Sequence, residues 1–251
     1  MLKWLSSKTR QSTTDEKSSL DRVVGSDDRK RISSLVSFMG DHVCNALIDA
    51  IRSMQDRDVH LAQRVIDGDD VIDITEIDIN KECLASIAMR NPVRSELRFI
   101  FAVLKITTDL ERIGDQAVNV AQRALVLAFH PLLKPLIDIP KMSDMAVSMV
   151  SRSLQAFFEE DTDLAVHVFR DDKKLDQLAE AVSEELTDII KTGLDTREDL
   201  VTVAMELLLT VRHLERIGDH ASNISERVFF MVRGERLKDV VLGKKRHSLR
   251  E

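Results

Sequence analysis

The 251-residue sequence predicts an all-α protein: two tandem three-helix bundles from an internal duplication. Three observations predict it. Gly (8) and Pro (4) are scarce, and one Trp with no Tyr leaves little for aromatic-rich strands and frequent turns. Apolar residues recur at helical spacing, as in Ile32, Leu35, Val36, Met39, Val43, Ala46, Leu47, Ala50 and Ile51. A ten-residue segment also occurs twice.

Residues 1–27 read as a flexible tail, since the start is rich in Ser, Thr and Lys and lacks an apolar period. Leu2, Trp4 and Leu5 beside Lys3 and Lys8 allow at most a peripheral membrane contact. Helices are then expected near 28–56, 58–90, 94–129, 141–159, 161–191 and 196–233. Pro92 disfavours helix at Asn91, the prolines between His130 and Pro140 mark a linker over 131–140, and Gly193 suits a helix stop. The repeats therefore span 28–130 and 141–233, with a basic tail over 234–251.

The duplication is explicit. Leu110-Glu111-Arg112-Ile113-Gly114-Asp115-Gln116-Ala117-Val118-Asn119 returns as Leu214-Glu215-Arg216-Ile217-Gly218-Asp219-His220-Ala221-Ser222-Asn223, eight of ten positions identical at an offset of 104. Upstream, Asp58, Leu61, Ala62, Asp69 and Asp73 return as Asp161, Leu164, Ala165, Asp172 and Asp176 at an offset of 103. The loop joining the second and third helices of a unit absorbs the one-residue difference.

Composition removes several function classes. Formal net charge is −7. Residues 1–20 carry +2 and residues 233–251 carry +4, so the body between them carries −13 and repels a phosphate backbone. With few aromatics to stack on bases, nucleic acid is not the expected partner. Cys44 and Cys83 form no Cys-x-x-Cys, which argues against a disulfide framework or thiolate zinc site and for a cytoplasmic setting. No phosphate-cradling Gly-rich loop, Ser/His/Asp arrangement or dinucleotide fingerprint is present.

The remaining chemistry lies in carboxylates. Glu111 and Asp115 are four apart and share a helix face, as do Asp69 and Asp73 on the preceding helix. In an antiparallel hairpin, residues equidistant from the turn lie side by side. Asp73 with Glu111, and Asp69 with Asp115, both centre on Pro92. Asp176 with Glu215, and Asp172 with Asp219, both centre between Asp195 and Thr196. Four converging carboxylates repel one another, and meeting that cost twice points to a bound cation. All-oxygen ligation suits hard ions: Mg²⁺, Mn²⁺, Ca²⁺ or iron. None of the seven histidines has a Glu three residues before it, which disfavours a ferritin-like di-iron oxidase.

Neighbouring residues carry lesser expectations. Gly114 and Gly218, inside helices at a cost of ~1 kcal/mol each relative to Ala, suggest close approach by a neighbouring helix. Arg112 and Arg216 read as surface ion pairs. His213 and His220, unmatched in the first copy, read as polar surface residues, and most methionines as core filling.

At the paired Leu-Glu-Arg-Ile-Gly-Asp segments, with Met39-Gly40 and Val65-Ile66-Asp67-Gly68-Asp69, the sequence resembles the PhoU family of bacterial phosphate-signalling proteins from about residue 30 to 233. The resemblance implies two three-helix bundles, a homodimer, and metal centres at Asp69, Asp73, Glu111, Asp115 and at Asp172, Asp176, Glu215, Asp219. It implies a non-enzymatic cytoplasmic regulator that restrains phosphate uptake and the phosphate-starvation response. Its partners would be the ATP-binding subunit of the phosphate ABC transporter and the phosphate-sensing histidine kinase. Two rivals stay open: a metal-dependent enzyme or metal store using the same carboxylates, and an accessory to a different phosphate transporter.

Overall fold

The computed structural model describes residues 5–131, 133, 136–193 and 199–241, with side chains described from Asp27 onward. Eight helices make up the described residues: α1 (Leu5–Asp56), α2 (Val59–Asp67), α3 (Asp70–Arg90), α4 (Ser95–Leu127), α5 (Asp138–Glu159), α6 (Thr162–Gly193), α7 (Leu200–Arg233) and α8 (Leu237–Val241). No strand occurs among them. Among the described residues, no helix is long and apolar enough to cross a membrane.

The first bundle comprises α1, the α2–α3 pair and α4; the second comprises α5, α6 and α7. They are fused rather than strung together. The helices α4 and α7 pack along each other, α1 also packs on α5, and one apolar cluster runs through both halves. Ile106, Leu110 and Ile113 from α4 and Leu207, Leu214 and Ile217 from α7 are almost fully buried in it.

The duplicated aspartates upstream of the acidic pairs prove to be helix caps. Asp58 Oδ1 accepts the backbone N–H groups of His60 and Leu61, each at 2.9 Å. Asp161 Oδ1 does the same for Asp163 and Leu164, again at 2.9 Å. Each satisfies two of the N–H groups that a helix start leaves without a partner. The preceding turns close through left-handed residues, Arg57 (φ 57°) and Glu160 (φ 54°). Arg57 also donates to the carbonyls of Ala128 (2.6 Å) and His130 (2.7 Å), tying the α1–α2 turn to the end of α4.

Four boundaries differ from the sequence reading. Backbone helix in α1 reaches back to Leu5, through most of the stretch expected as a tail; extending an existing helix costs far less than nucleating one. The expected single helix over 58–90 breaks at Gly68–Asp69, where glycine is a weak helix former. In the second half Asp171 occupies the place of Gly68, α6 runs unbroken, and Asp171 is held by Arg152 (2.8 Å) and Lys174 (2.6 Å). Helix α5 starts at Asp138, because Pro140 is tolerated in a first turn. Within 234–251, Gly234 (φ 69°) ends α7 and α8 follows, anchored by buried Leu237 and by Lys238 on Glu226 at 2.8 Å. Residues 242–251 lie outside the described residues, as do 1–4.

Most methionines are core, including Met39, Met142 and Met149. Met89 (83% exposed) and Met205 (47%) are not.

Candidate functional site

The hairpin register brings all eight predicted carboxylates into two groups. In the first, Asp73 and Asp115 both act on Asp69, and Asp115 and Asp73 both act on Glu111. In the second, Asp176 and Asp219 act on Asp172 and on Glu215. Each group therefore draws one acid pair from the middle helix of its bundle and one from the last.

The motif glycines explain how the helices come so close. A Cβ built on Gly114 would lie 2.9 Å from Ile72 Cδ1 and 3.3 Å from Asp69 Oδ1. One on Gly218 would lie 2.5 Å from Leu175 Cδ2 and 3.3 Å from Asp172 Oδ1. In both copies the neighbouring helix does come close to the glycine, but through its side chains rather than its backbone. Each glycine opens the space into which the facing aspartate leans.

This packing half-buries like charges together. Burial, then Asp73, Asp115 and Asp70, push the Asp69 carboxyl up to about 6. Burial, then Asp176 and Asp219, push Asp172 up to about 6, against the Ser222 hydroxyl and Lys238. Glu111, Asp176 and Glu215 are raised for the same reasons, burial first. Carboxyls held this way favour a proton or a cation.

The donor type, though not the present spacing of the side chains, suits a hard metal ion. The ligands are all oxygen, and Asp172 Oδ1 is buried with no hydrogen-bond partner. Among the described residues, however, no three His, Cys, Asp or Glu side chains are drawn close enough to grip one ion as they stand. In the first group Arg112 reaches Glu111 Oε2 (3.3 Å) and Asp115 Oδ2 (3.0 Å), the surface pairing the sequence suggested. The thiols are no alternative donors: burial, then Asp41 and Glu82 respectively, push Cys44 up to about 11 and Cys83 up to about 12.

The two groups are not copies in detail. Glu76 adds a fifth acid to the first, acting on Glu111 and accepting from the Thr108 hydroxyl at 3.3 Å. Its counterpart in α6 is Ala179. Glu76 and Thr108 also centre on Pro92, so the same register could have found it.

The histidine expectation is overturned. His213 and His220 are partly buried in the α4–α7 seam, not on an open surface: His213 Nδ1 lies 2.9 Å from Gln116 Oε1 and His220 Nδ1 lies 2.9 Å from Asp109 Oδ1. Burial, then Arg123, Arg216 and Arg212, lower His213, which suits a neutral ring against an amide. Arg123 pairs with Glu206 at 3.0 Å further along. Asp109, Gln116 and Arg123 ascend α4 in sevens while His220, His213 and Glu206 descend α7 in sevens, the signature of one antiparallel register.

The family model for the PhoU domain matches this sequence twice, over residues 36–124 and 139–228. The chain belongs to the PhoU family. Its curated relatives include a protein of Thermotoga maritima named phosphate-specific transport system accessory protein PhoU homolog 1. That relative is 33% identical over 213 residues, covering 84% of this chain and 90% of its own length. Among solved structures, PhoU from Pseudomonas aeruginosa superposes with a TM-score of 0.79 at 34% identity, over 84% of this chain and 99% of that one. The phosphate transport system regulatory protein PhoU from Streptococcus pneumoniae gives 0.77 at 25% identity, over 84% and 98%. The PhoU domain is thus present as a tandem repeat, and its relatives are named as accessory or regulatory proteins rather than for a reaction.

Proposed function

We propose that this PhoU protein is a non-enzymatic cytoplasmic regulator of phosphate uptake, restraining a phosphate transporter and the starvation response while phosphate is plentiful. The observation that carries the reading is the pair of carboxylate groups opposite the motif glycines, in a chain whose relatives are named for phosphate transport.

Asp69, Asp73, Glu111 and Asp115 would hold a hard cation in the first half, and Asp172, Asp176, Glu215 and Asp219 in the second. A bound cation supplies positive charge against acids that otherwise repel. The protein's own residues do the rest: Gly114 and Gly218 admit the facing aspartates, and the α4–α7 seam fixes one group relative to the other. A rigid helical body of this kind suits docking on membrane-associated partners. In this reading those are the transporter's ATP-binding subunit and a phosphate-sensing histidine kinase.

Deleting the gene tests the regulatory claim. Phosphate-starvation genes should rise in phosphate-rich medium, and restoring the chain should silence them again. Unchanged expression in the deletion strain removes the claim.

A further inference from the structure

The groove between the first and middle helices of each bundle carries opposite charge in the two halves. In the first half it is a cavity of about 250 Å³, where Arg64 is the one cation of the lining and faces Asp49 and Asp69. The second half has a cavity of about 370 Å³ between α5 and α6, lined by Lys141, Asp144, Ser148, Arg152, Asp171 and Lys174. At the offset of 103, Lys141, Arg152 and Lys174 stand where the first half has Phe38, Asp49 and Val71. Three cations thus gather in one concavity of a strongly acidic body.

Two of them are held in place. Lys141, Ser148 and Arg152 are seven and four residues apart and share a face of α5. Arg152 Nε donates to the Ser148 carbonyl and hydroxyl, each at 3.2 Å, and Nη1 donates to Asp171 Oδ2 at 2.8 Å. Lys174 Nζ donates to the other oxygen, Asp171 Oδ1, at 2.6 Å. Asp171 therefore pins a guanidinium beside an ammonium, and both keep further N–H groups for a ligand. Exposed Lys141 adds a third donor and exposed Asp144 an acceptor. Three cations against two carboxylates leave the lining with one net positive charge, which a monoanion neutralises. Dihydrogen phosphate is such an anion, and its hydroxyls can donate to a carboxylate. Sulfate at neutral pH brings two charges and no proton to donate. We propose that the cavity between α5 and α6 binds inorganic phosphate as its monoanion, held by Lys141, Ser148, Arg152 and Lys174, with Asp144 accepting one of its protons.

Calorimetric titration of the full chain with inorganic phosphate tests this. Saturable binding is expected with a Kd on the order of 1 mM, and sulfate should bind about tenfold more weakly. Phosphoserine, the probe for a phosphorylated partner, has one hydroxyl fewer and should also bind more weakly than the free anion. Lys141→Gln with Lys174→Gln changes two exposed side chains and should weaken phosphate binding about tenfold or more, with helical circular dichroism unchanged. The regulatory reading is separate, since it stands or falls with the deletion strain whatever the titration shows. Absence of phosphate binding up to about 10 mM overturns the proposal. So does equal affinity for sulfate, tighter binding of phosphoserine, or phosphate binding that survives the double lysine substitution, which would place the anion elsewhere on the chain.

Discussion

Asp109 of α4 and His220 of α7 clasp the two halves of the chain together, carboxylate Oδ1 to imidazole Nδ1 at 2.9 Å. Asn223 donates to the same oxygen at 3.3 Å. The duplication maps Asp109 onto His213 and Gln116 onto His220, so the matching contact is His213 with Gln116. One seam thus carries an acid–imidazole pair on one side of the pseudo-two-fold and an amide–imidazole pair on the other. Asp109→Ala strands two partly buried donors and should cost about 1–3 kcal/mol of unfolding free energy, measured by denaturant titration. A loss below about 0.5 kcal/mol, the usual range of an inert surface change, would show that the seam does not depend on it.

Gly218 should tolerate a methyl less well than Gly114. Alanine gains about 1 kcal/mol of helix propensity at either site. Against that, the new Cβ at 218 meets Leu175 Cδ2 at 2.5 Å, and the one at 114 meets Ile72 Cδ1 at 2.9 Å. Leu175 is fully buried and has nowhere to retreat. Gly218→Ala is expected to destabilise by about 1–2 kcal/mol, with Gly114→Ala nearer to neutral. The reverse order in thermal unfolding would mean that the close approach is softer than its distances indicate.

These packing distances were not readable from sequence, but their existence was. Gly114 and Gly218 stand out because helix interiors disfavour glycine, and a repeat shows that the choice was made twice. Hairpin symmetry about Pro92 located the first carboxylate group because it needs only a turn position. The seam between halves was missed because it needs the packing of α4 on α7, which no loop length dictates. His213 and His220 then look like stray surface residues, although their seven-residue spacing matches that of Asp109 and Gln116 in reverse. The break at Gly68 was hidden for the opposite reason: α6, with Asp171 there, continues unbroken, and reading one copy through the other erased the difference.

Metal-free protein should lose stability as pH rises through about 6. The Asp69 and Asp172 carboxyls sit at about 6 in the fold, chiefly through burial, against roughly 3.9 in an unfolded chain. A carboxyl with a raised folded value binds its proton more tightly in the native state. Stability from these groups is therefore greatest when they are protonated and falls as they ionise. Glu111, Asp176 and Glu215 act in the same direction. Asp171, lowered by Lys174 and Arg152 against its own burial, works oppositely but only at lower pH. Chelator-treated protein unfolded by urea across about pH 4.5 to 7.5 should show the decline. Asp69→Asn with Asp172→Asn should flatten it; an unchanged slope in that variant would assign the effect elsewhere.

Elemental analysis of protein purified without chelator measures the central claim most directly. Each half is expected to carry its own hard cation, so Glu111→Ala with Asp115→Ala should remove about half of the bound metal and leave the second group loaded. Adding Glu215→Ala with Asp219→Ala should remove the remainder. Metal content that stays at the wild-type level in the four-site variant would contradict the account, leaving the paired acids as solvated helix faces.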